Sequence, residues 1–355
     1  MFQYKLDIAM NATYRTISLV LALFLTVVAA ANAQPVEEPQ KRAQTGFKFI
    51  TVMSDARSTA MADAMTSLEA KSTAMLYNPS SMARLGDQGK IADVFVGQTN
   101  WIADINYMQG AAAFSPAQGS YGVFGVFFQY VDYGEMYRTV RANNEAGYLD
   151  MGTFSPYGAA IGVGYGIALS EKFSIGGNVK YLVQNLGTNH FVETSGNGEY
   201  EKKGFSAETF GIDFGVLYKT GFKSVTLGIA VKNFSPEVKY IEESFELPLT
   251  FELGMSVNAF DFVESIDPTM HSMTVAVNAL HPRDFDEYVN FGLEYTFMNV
   301  LSLRGGYATM QDERGLSAGG GLKYELAGVD FGVDYSYAPF GVFSDVHRIS
   351  THFGL

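Results

Sequence analysis

Cysteine is absent from the 355 residues. That excludes disulfides, thiolate metal sites and thiol nucleophiles. Positive charge is short as well: 24 Lys and Arg stand against 37 Asp and Glu, a net charge of −13, with no Lys/Arg cluster of the kind that nucleic-acid phosphates demand. No nucleic-acid partner is expected. Beyond the first thirty residues, no segment supplies the roughly 18 uninterrupted apolar residues of a transmembrane helix. The five histidines, His190, His271, His281, His347 and His352, form no H-E-x-x-H pair, and no G-x-S-x-G elbow occurs. The expectation is a protein that is no enzyme, with no cofactor and no metal. Tryptophan is reduced to Trp101.

What the chain has begins with its leader. Lys5 and Arg15 precede an apolar run from about Ile17 to Ala30, which ends in Ala-Asn-Ala before Gln34. Charged, then apolar, then small-x-small is the order of a secretory signal peptide, and roughly 14 apolar residues are short for a membrane anchor. Residues 1–33 are therefore expected to be removed, and 34–46 to form a flexible N-terminal segment. Loss of Lys5, Arg15 and Asp7 takes the net charge from −13 to −14. The composition then narrows the fold: aromatics at 14%, 37 glycines and 21 tyrosines are high for a soluble enzyme. An exported, aromatic-rich, helix-poor chain points to a transmembrane β-barrel.

From Lys90 onward the hydrophobic period is two. In "VDFGVDYSYA", Val329, Phe331, Val333, Tyr335 and Tyr337 share one face, and Asp330, Gly332, Asp334 and Ser336 the other. "VNFGLEYTF" sets Val289, Phe291, Leu293, Tyr295 and Phe297 against Asn290, Gly292, Glu294 and Thr296; "FGIDFGVLY" sets Phe210, Ile212, Phe214, Val216 and Tyr218 against Gly211, Asp213 and Gly215. A soluble sandwich also alternates. Here, however, the polar face carries glycine and charge of both signs, which suits a wet or plugged lumen, while the apolar face ends in Tyr or Phe, as an aromatic girdle does. The charges expected to face the lumen are Lys180, Asp213, Lys232, Glu294, Arg304, Lys323, Asp330, Asp334 and Arg348. Trp101 is assigned as a membrane-interface anchor.

The pattern gives about fourteen strands, near 90–100, 103–115, 119–133, 157–169, 172–187, 204–219, 223–233, 249–260, 271–281, 286–297, 299–308, 315–327, 328–338 and 346–355. Short turns ("SEK", "KTGFK", "MN", "AG") alternate with longer links at 134–156, 187–203 and 234–248, the asymmetry of an outer-membrane barrel. An even strand count puts both termini on the short-turn, periplasmic side. The last segment, "HRISTHFGL", is itself a strand that ends the chain, with Leu355 where a barrel-assembly signal usually has phenylalanine.

Residues 47 to 85 break the two-residue period. "SDARSTAMADAMTSLEA" offers Ser54 or Asp55 as a helix N-cap, with Ala60, Met61, Ala64, Met65 and Leu68 at helical spacing. Pro79 cannot continue a helix and holds Asn78 extended. Such a segment can fold into a barrel and plug it. The glycines of "GVGYG", Gly162 to Gly166, lack a dinucleotide-binding spacing and are read as strand positions where another backbone comes close.

The stretch "GFKFITVMSDARSTAMADAMTSLEAKSTAMLYNPSSMARL" resembles the N-terminal signature of the PorV/PorQ family of FadL-like outer-membrane barrels. The matching residues are Gly46, Phe49 and Ile50 at the entry, Ala56, Arg57, Ala60 and Met61 in the helix, and Asn78 and Pro79, with Ser80 where the family usually has alanine. "NWIADI", "ELPLTFELGMS", "GLEYTF" and "SLRGGY" are similar to its strand motifs. The resemblance implies an all-β fold: a fourteen-stranded antiparallel transmembrane barrel over 89–355, with a short helical hatch at 47–88 blocking the lumen, in the bacterial outer membrane. It also implies a non-enzymatic role in type IX secretion, in which extracellular loops bind a translocon or cargo C-terminal signal domains. The alternative is a FadL-like channel for hydrophobic small molecules. The expected partners are thus outer-membrane lipid with a secretion translocon and cargo C-terminal domains, or a hydrophobic ligand. The charged inward face favours the first reading, and the loop beginning at Tyr133 is its candidate docking element.

Overall fold

The computed structural model describes residues 45–187, 190–193, 200–310, 314–343 and 345–355. The expected signal peptide and all but the end of the N-terminal segment lie outside them. Fourteen antiparallel strands close into one barrel. In chain order they are β1 Ala92–Asn100, β2 Asn106–Phe114, β3 Val123–Asp132, β4 Tyr157–Ala168, β5 Phe173–Asn185, β6 Ser206–Lys219 and β7 Thr226–Phe234. The second half is β8 Thr250–Asn258, β9 His271–Pro282, β10 Tyr288–Phe297, β11 Leu301–Ala308, β12 Leu316–Leu326, β13 Val329–Ala338 and β14 Val346–Gly354. Each strand lies within a few residues of its sequence expectation. Closure is made by β1 against β14, from Asp93 opposite Gly354 to Asn100 opposite His347. With no edge left over, each strand pairs with a neighbour on both sides, the condition for crossing hydrocarbon.

Alternation sorts the faces. In β3, Val123, Phe127, Gln129 and Val131 are buried toward the lumen, while Phe124, Val126, Phe128 and Tyr130 are exposed on the outer wall. In β13, Asp330, Asp334 and Ser336 are buried and Phe331, Val333 and Tyr335 face out. The long links at 133–156, 186–205 and 235–249 share one end of the barrel and mark the extracellular side. Three of these regions, which the sequence reading treats as loops, carry small hairpins of their own: Met136–Arg141 pairs with Tyr148–Phe154, His190–Glu193 with Tyr200–Lys203, and Val238–Lys239 with Ser244–Phe245.

The lumen is filled by the segment before β1. It starts at the extracellular rim, where Thr45 bridges Glu246, and ends at the periplasmic side, where Arg84 Nη2 donates to the Ser170 carbonyl at 2.5 Å. Between them lie a 3₁₀ turn Lys48–Thr51, helix α1 Ala56–Ala60, helix α2 Ala74–Tyr77 and a second 3₁₀ turn Pro79–Arg84. Its apolar contribution is rich in methionine, with Met61, Met65, Met75 and Met82 all buried. The unbranched thioether side chain fills irregular gaps between a plug and a curved wall.

α1 is shorter than its apolar spacing predicts. The sequence sets apolar positions through Leu68, but the helix stops at Ala60 because Ala62 and Asp63 are left-handed, with φ 52° and 60°. Ala62 N donates to Thr59 O and Asp63 N to Ser58 O, a C-terminal cap that normally uses glycine. Two such non-glycine residues cost about 1–2 kcal/mol each. The Asp63 carboxylate offsets that cost by taking hydrogen bonds from Arg314 Nη2 at 2.5 Å and Ser58 Oγ at 3.1 Å.

Candidate functional site

The plug is joined to the barrel wall by charge, by hydrogen bonds and by close packing. At the centre, Asp55 caps α1 by accepting from Arg57 N at 3.0 Å. Arg57, two residues further, donates to both oxygens of Glu294, and Arg304 donates to Glu294 at 2.5 Å and to Asp334 at 2.5 Å. Glu294, Arg304 and Asp334 come from β10, β11 and β13, so one hatch arginine completes a chain of charge spanning four strands. The Glu294 carboxylate holds the Arg57 guanidinium above its ordinary range, with burial working against it. Burial pushes the Asp55 carboxyl up, against the lowering pull of His352. For Asp63, burial also pushes up, but the Arg314 charge and hydrogen bond outweigh it and the net displacement is down.

The other hatch-motif residues sit in contact positions. Ala56, Ala60 and Met61 are buried without residual exposure, and Ala56 N donates to Ser350 Oγ of β14 at 3.1 Å. Asn78 is extended at φ −143°, as its proline neighbour requires. Its Oδ1 accepts from Ser80 N and Ser80 Oγ, while Nδ2 donates to the carbonyls of Thr66 and Val216. Pro79 opens the following 3₁₀ turn. A Cβ at Gly215 would stand 1.9 Å from Asn78 Oδ1. In the "GVGYG" run, Cβ atoms at Gly164 and Gly166 would strike Met75 and the Pro79 carbonyl of the hatch, whereas one at Gly162 would strike Phe127 of the wall.

The remaining lumen charges fall into separate groups. Lys180 donates to both oxygens of Asp213 at 2.7 and 2.8 Å and to Asn233 at 2.6 Å. Lys232 pairs with Glu252 at 2.8 Å. At the periplasmic end Asp330 receives Lys71, Lys90 and Lys323, each at 3.2 Å, and Lys323 is half exposed there rather than buried in the lumen. Arg348 is buried, donating Nε to the Met53 carbonyl at 3.0 Å. Trp101 differs from its assignment as an interface anchor. Its ring packs edge-on against Phe340 at 4.8 Å and under the Arg348 guanidinium at 5.3 Å, because Arg348 points inward and draws the ring over the lumen rim.

Asp63, Arg314, Lys71, Asp93 and Glu252 escaped the sequence reading. Glu252 on β8 and Asp93 on β1 alternate inward like the charges that were named, so their signal was present. Asp63 and Lys71 lie in the hatch and Arg314 in a link, where no period marks them.

Between hatch and wall, toward the extracellular side, lies a cavity of about 90 Å³. Three ion pairs line it, Lys180–Asp213, Lys232–Glu252 and Arg314–Asp63, and Met75, Leu76, Phe127 and Leu280 form an apolar side. A bulge in the wall borders it: Lys232 and Asn233 stand opposite the single Asp213, and Asn233 has φ 65°. Side chains close the bulge. Asn233 N donates to Asp213 Oδ1 at 2.6 Å and Asn233 Nδ2 to the Pro248 carbonyl at 2.9 Å.

Above the rim, the hairpin Met136–Arg141 with Tyr148–Phe154 stands clear of the barrel, with Tyr137 82% exposed and Met136, Tyr148 and Leu149 also open to solvent.

Comparison with known proteins follows the same lines. The family model of the Type IX secretion system protein PorV matches residues 35–281. No curated protein matches the sequence. Among solved structures, the toluene transporter TodX of Pseudomonas putida is similar at 12% identity, with 89% of this chain and 99% of that one covered and a TM-score of 0.55. The CymD monoaromatic hydrocarbon channel is similar at 12% identity, with 84% and 96% covered and a TM-score of 0.50. At such identity the likeness is one of fold.

Proposed function

Because the chain belongs to the PorV family and is an outer-membrane β-barrel, we propose that it serves as a non-enzymatic component of type IX secretion. Its extracellular loops bind a translocon or the C-terminal signal domains of cargo. The observation that carries this reading is the projecting hairpin at 136–154 on a barrel whose lumen is occupied from rim to rim. Apolar and aromatic side chains held in water on a two-stranded ribbon are placed for a protein partner. A plug tied by buried ion pairs, in contrast, offers little to through-flow.

The test removes residues 136–154 and closes the gap with a short turn. A reporter carrying a type IX C-terminal signal domain is then captured from cells by the intact and the shortened barrel. Loss of capture, with the shortened barrel still heat-modifiable and folded, supports the reading; equal capture removes it.

A second reading, a channel for hydrophobic small molecules, is favoured by the apolar side of the cavity between hatch and wall. It predicts saturable uptake of a labelled monoaromatic hydrocarbon by cells that express the barrel. Uptake no faster than in cells without it ends that reading.

A further inference from the structure

The outermost turn of the hatch is built differently from the rest of it. Among the described residues, the polar partners that residues 45–51 find on the barrel belong to the extracellular rim and to the strand ends just below it. Asp284, in the link between β9 and β10, accepts both Thr45 Oγ1 and the Lys48 ammonium, the latter at 2.5 Å. Gly46 N donates to the Glu246 carbonyl at 3.1 Å, and Phe47 N to Gln184 Oε1 at 3.1 Å. Gln129 Nε2 donates to the Phe49 carbonyl at 2.7 Å.

Phe47 itself is left-handed, with φ 55° and ψ 31°. For a bulky side chain that conformation is an outlier, held only while the surroundings over-determine it. Here the surroundings are Phe49 and Phe245, whose rings lie 6.2 and 6.1 Å from its own. Directly beneath, Ile50 and Thr51 form part of the wall of the cavity between hatch and barrel. A strained turn, fastened through Asp284, Glu246, Gln184 and Gln129 and by the buried side chains of Phe47, Phe49 and Ile50, thus roofs a lined space that the deeper hatch does not fill.

We propose that residues 45–51 are an outer lid, released from the Asp284 rim to open this cavity to the extracellular side while α1 and the second 3₁₀ turn stay in place. The deep hatch keeps its own ties, from Arg57 to Glu294 and from Asn78 to Val216, none of which involves the lid. Each cation of the lining is already paired with a carboxylate, so the opened site admits a group that is neutral overall and amphipathic. This inference does not depend on which protein partner the loops bind.

The chain's lack of cysteine makes the test direct. Ala160→Cys places a thiol in the cavity wall, and Ala60→Cys places one deep in the hatch as a control. Thr45 and Glu246 are bridge partners, within the Cα separation a disulfide needs, so Thr45→Cys with Glu246→Cys locks the lid when oxidised. In whole cells, a membrane-impermeant thiol reagent is expected to label Ala160→Cys about tenfold faster with the lock reduced than oxidised, and faster again with Asp284→Ala. Ala60→Cys is expected to stay unlabelled throughout. Anionic and cationic methanethiosulfonates should react at rates within about tenfold of each other, as a charge-balanced lining requires. Equal labelling of Ala160→Cys in locked and released protein overturns the lid. Labelling of Ala60→Cys in step with it overturns the separation of lid from hatch.

Discussion

Arg57 and Glu294, 237 residues apart in sequence, meet in the lumen as a two-point pair, Nε to Oε2 at 2.9 Å and Nη2 to Oε1 at 2.8 Å. A bidentate guanidinium–carboxylate pair fixes orientation as well as distance, so α1 is held at a defined rotation against β10. The two partners are not equivalent. Arg57→Met leaves Glu294 still bound by Arg304 and removes an arginine side chain that is 27% exposed; the expected cost is about 1–2 kcal/mol. Glu294→Gln leaves two guanidinium groups facing each other with only Asp334 and the α1 cap Asp55 nearby among the described residues, and about 3–5 kcal/mol is expected. Urea unfolding of both variants in detergent, followed by heat-modifiability, measures the order. A larger loss for Arg57→Met would show that the tie, rather than the buried charge, sets the energy.

Asp55 gives the hatch a pH dependence of unusual sign. Its ordinary value is 3.8 and burial raises it in the folded protein. Between those two values the folded state binds a proton that the unfolded chain does not, so this group's contribution to stability grows as the pH falls through the window and is lost as the pH rises above the folded value. Asp55→Asn keeps a good N-cap and removes the titration. The wild-type unfolding midpoint should therefore approach that of Asp55→Asn as the pH is lowered from neutrality toward 4. Parallel midpoints across that range would refute the assignment. Asp63, whose value is lowered, has the opposite sign: its stabilisation is present above 3.8 and fails only below it, as the pH drops through the folded value.

The barrel was legible because a strand half in lipid and half in a polar lumen repeats every two residues. Asp330 and Asp334 announce the inner face of β13 with no knowledge of any neighbour. The hatch was legible only as an interruption. What ends α1 at Ala60 is Arg314 gripping Asp63 across 251 residues, and local propensity carries no trace of that. Trp101 shows the same limit: the interface habit of tryptophan gives way to one inward arginine on β14. The hairpin at 136–154 was hidden because both of its faces meet water, which leaves no hydrophobic alternation to read.

Asn78 and Gly215 are expected to behave as one unit. Asn78→Ala removes the acceptor for Ser80 and the donor for two buried carbonyls, at a cost of about 2–4 kcal/mol. Gly215→Ala drives a methyl group to 1.9 Å from Asn78 Oδ1, so it too should destabilise the plugged barrel by a few kcal/mol, on the order of an overpacked core. In the double variant the clash has lost its partner, and the combined loss should fall short of the sum by about 1 kcal/mol or more. Strict additivity in a double-mutant cycle of unfolding free energies would mean that the two residues do not press on each other.

Tyr137 provides the contrast between stability and binding. It is 82% exposed near the base of the projecting hairpin, opposite Thr153, so Tyr137→Ser should leave the unfolding midpoint within about 0.5 kcal/mol of the parent, as surface substitutions usually do. If the hairpin is the docking element, aromatic side chains of this kind carry a large share of an interface's energy, and truncation of one costs about 2 kcal/mol or more. Capture of the signal-domain reporter should then weaken by roughly thirtyfold. Capture at parental affinity, with the fold intact, would move the docking surface to the links at 186–205 and 235–249.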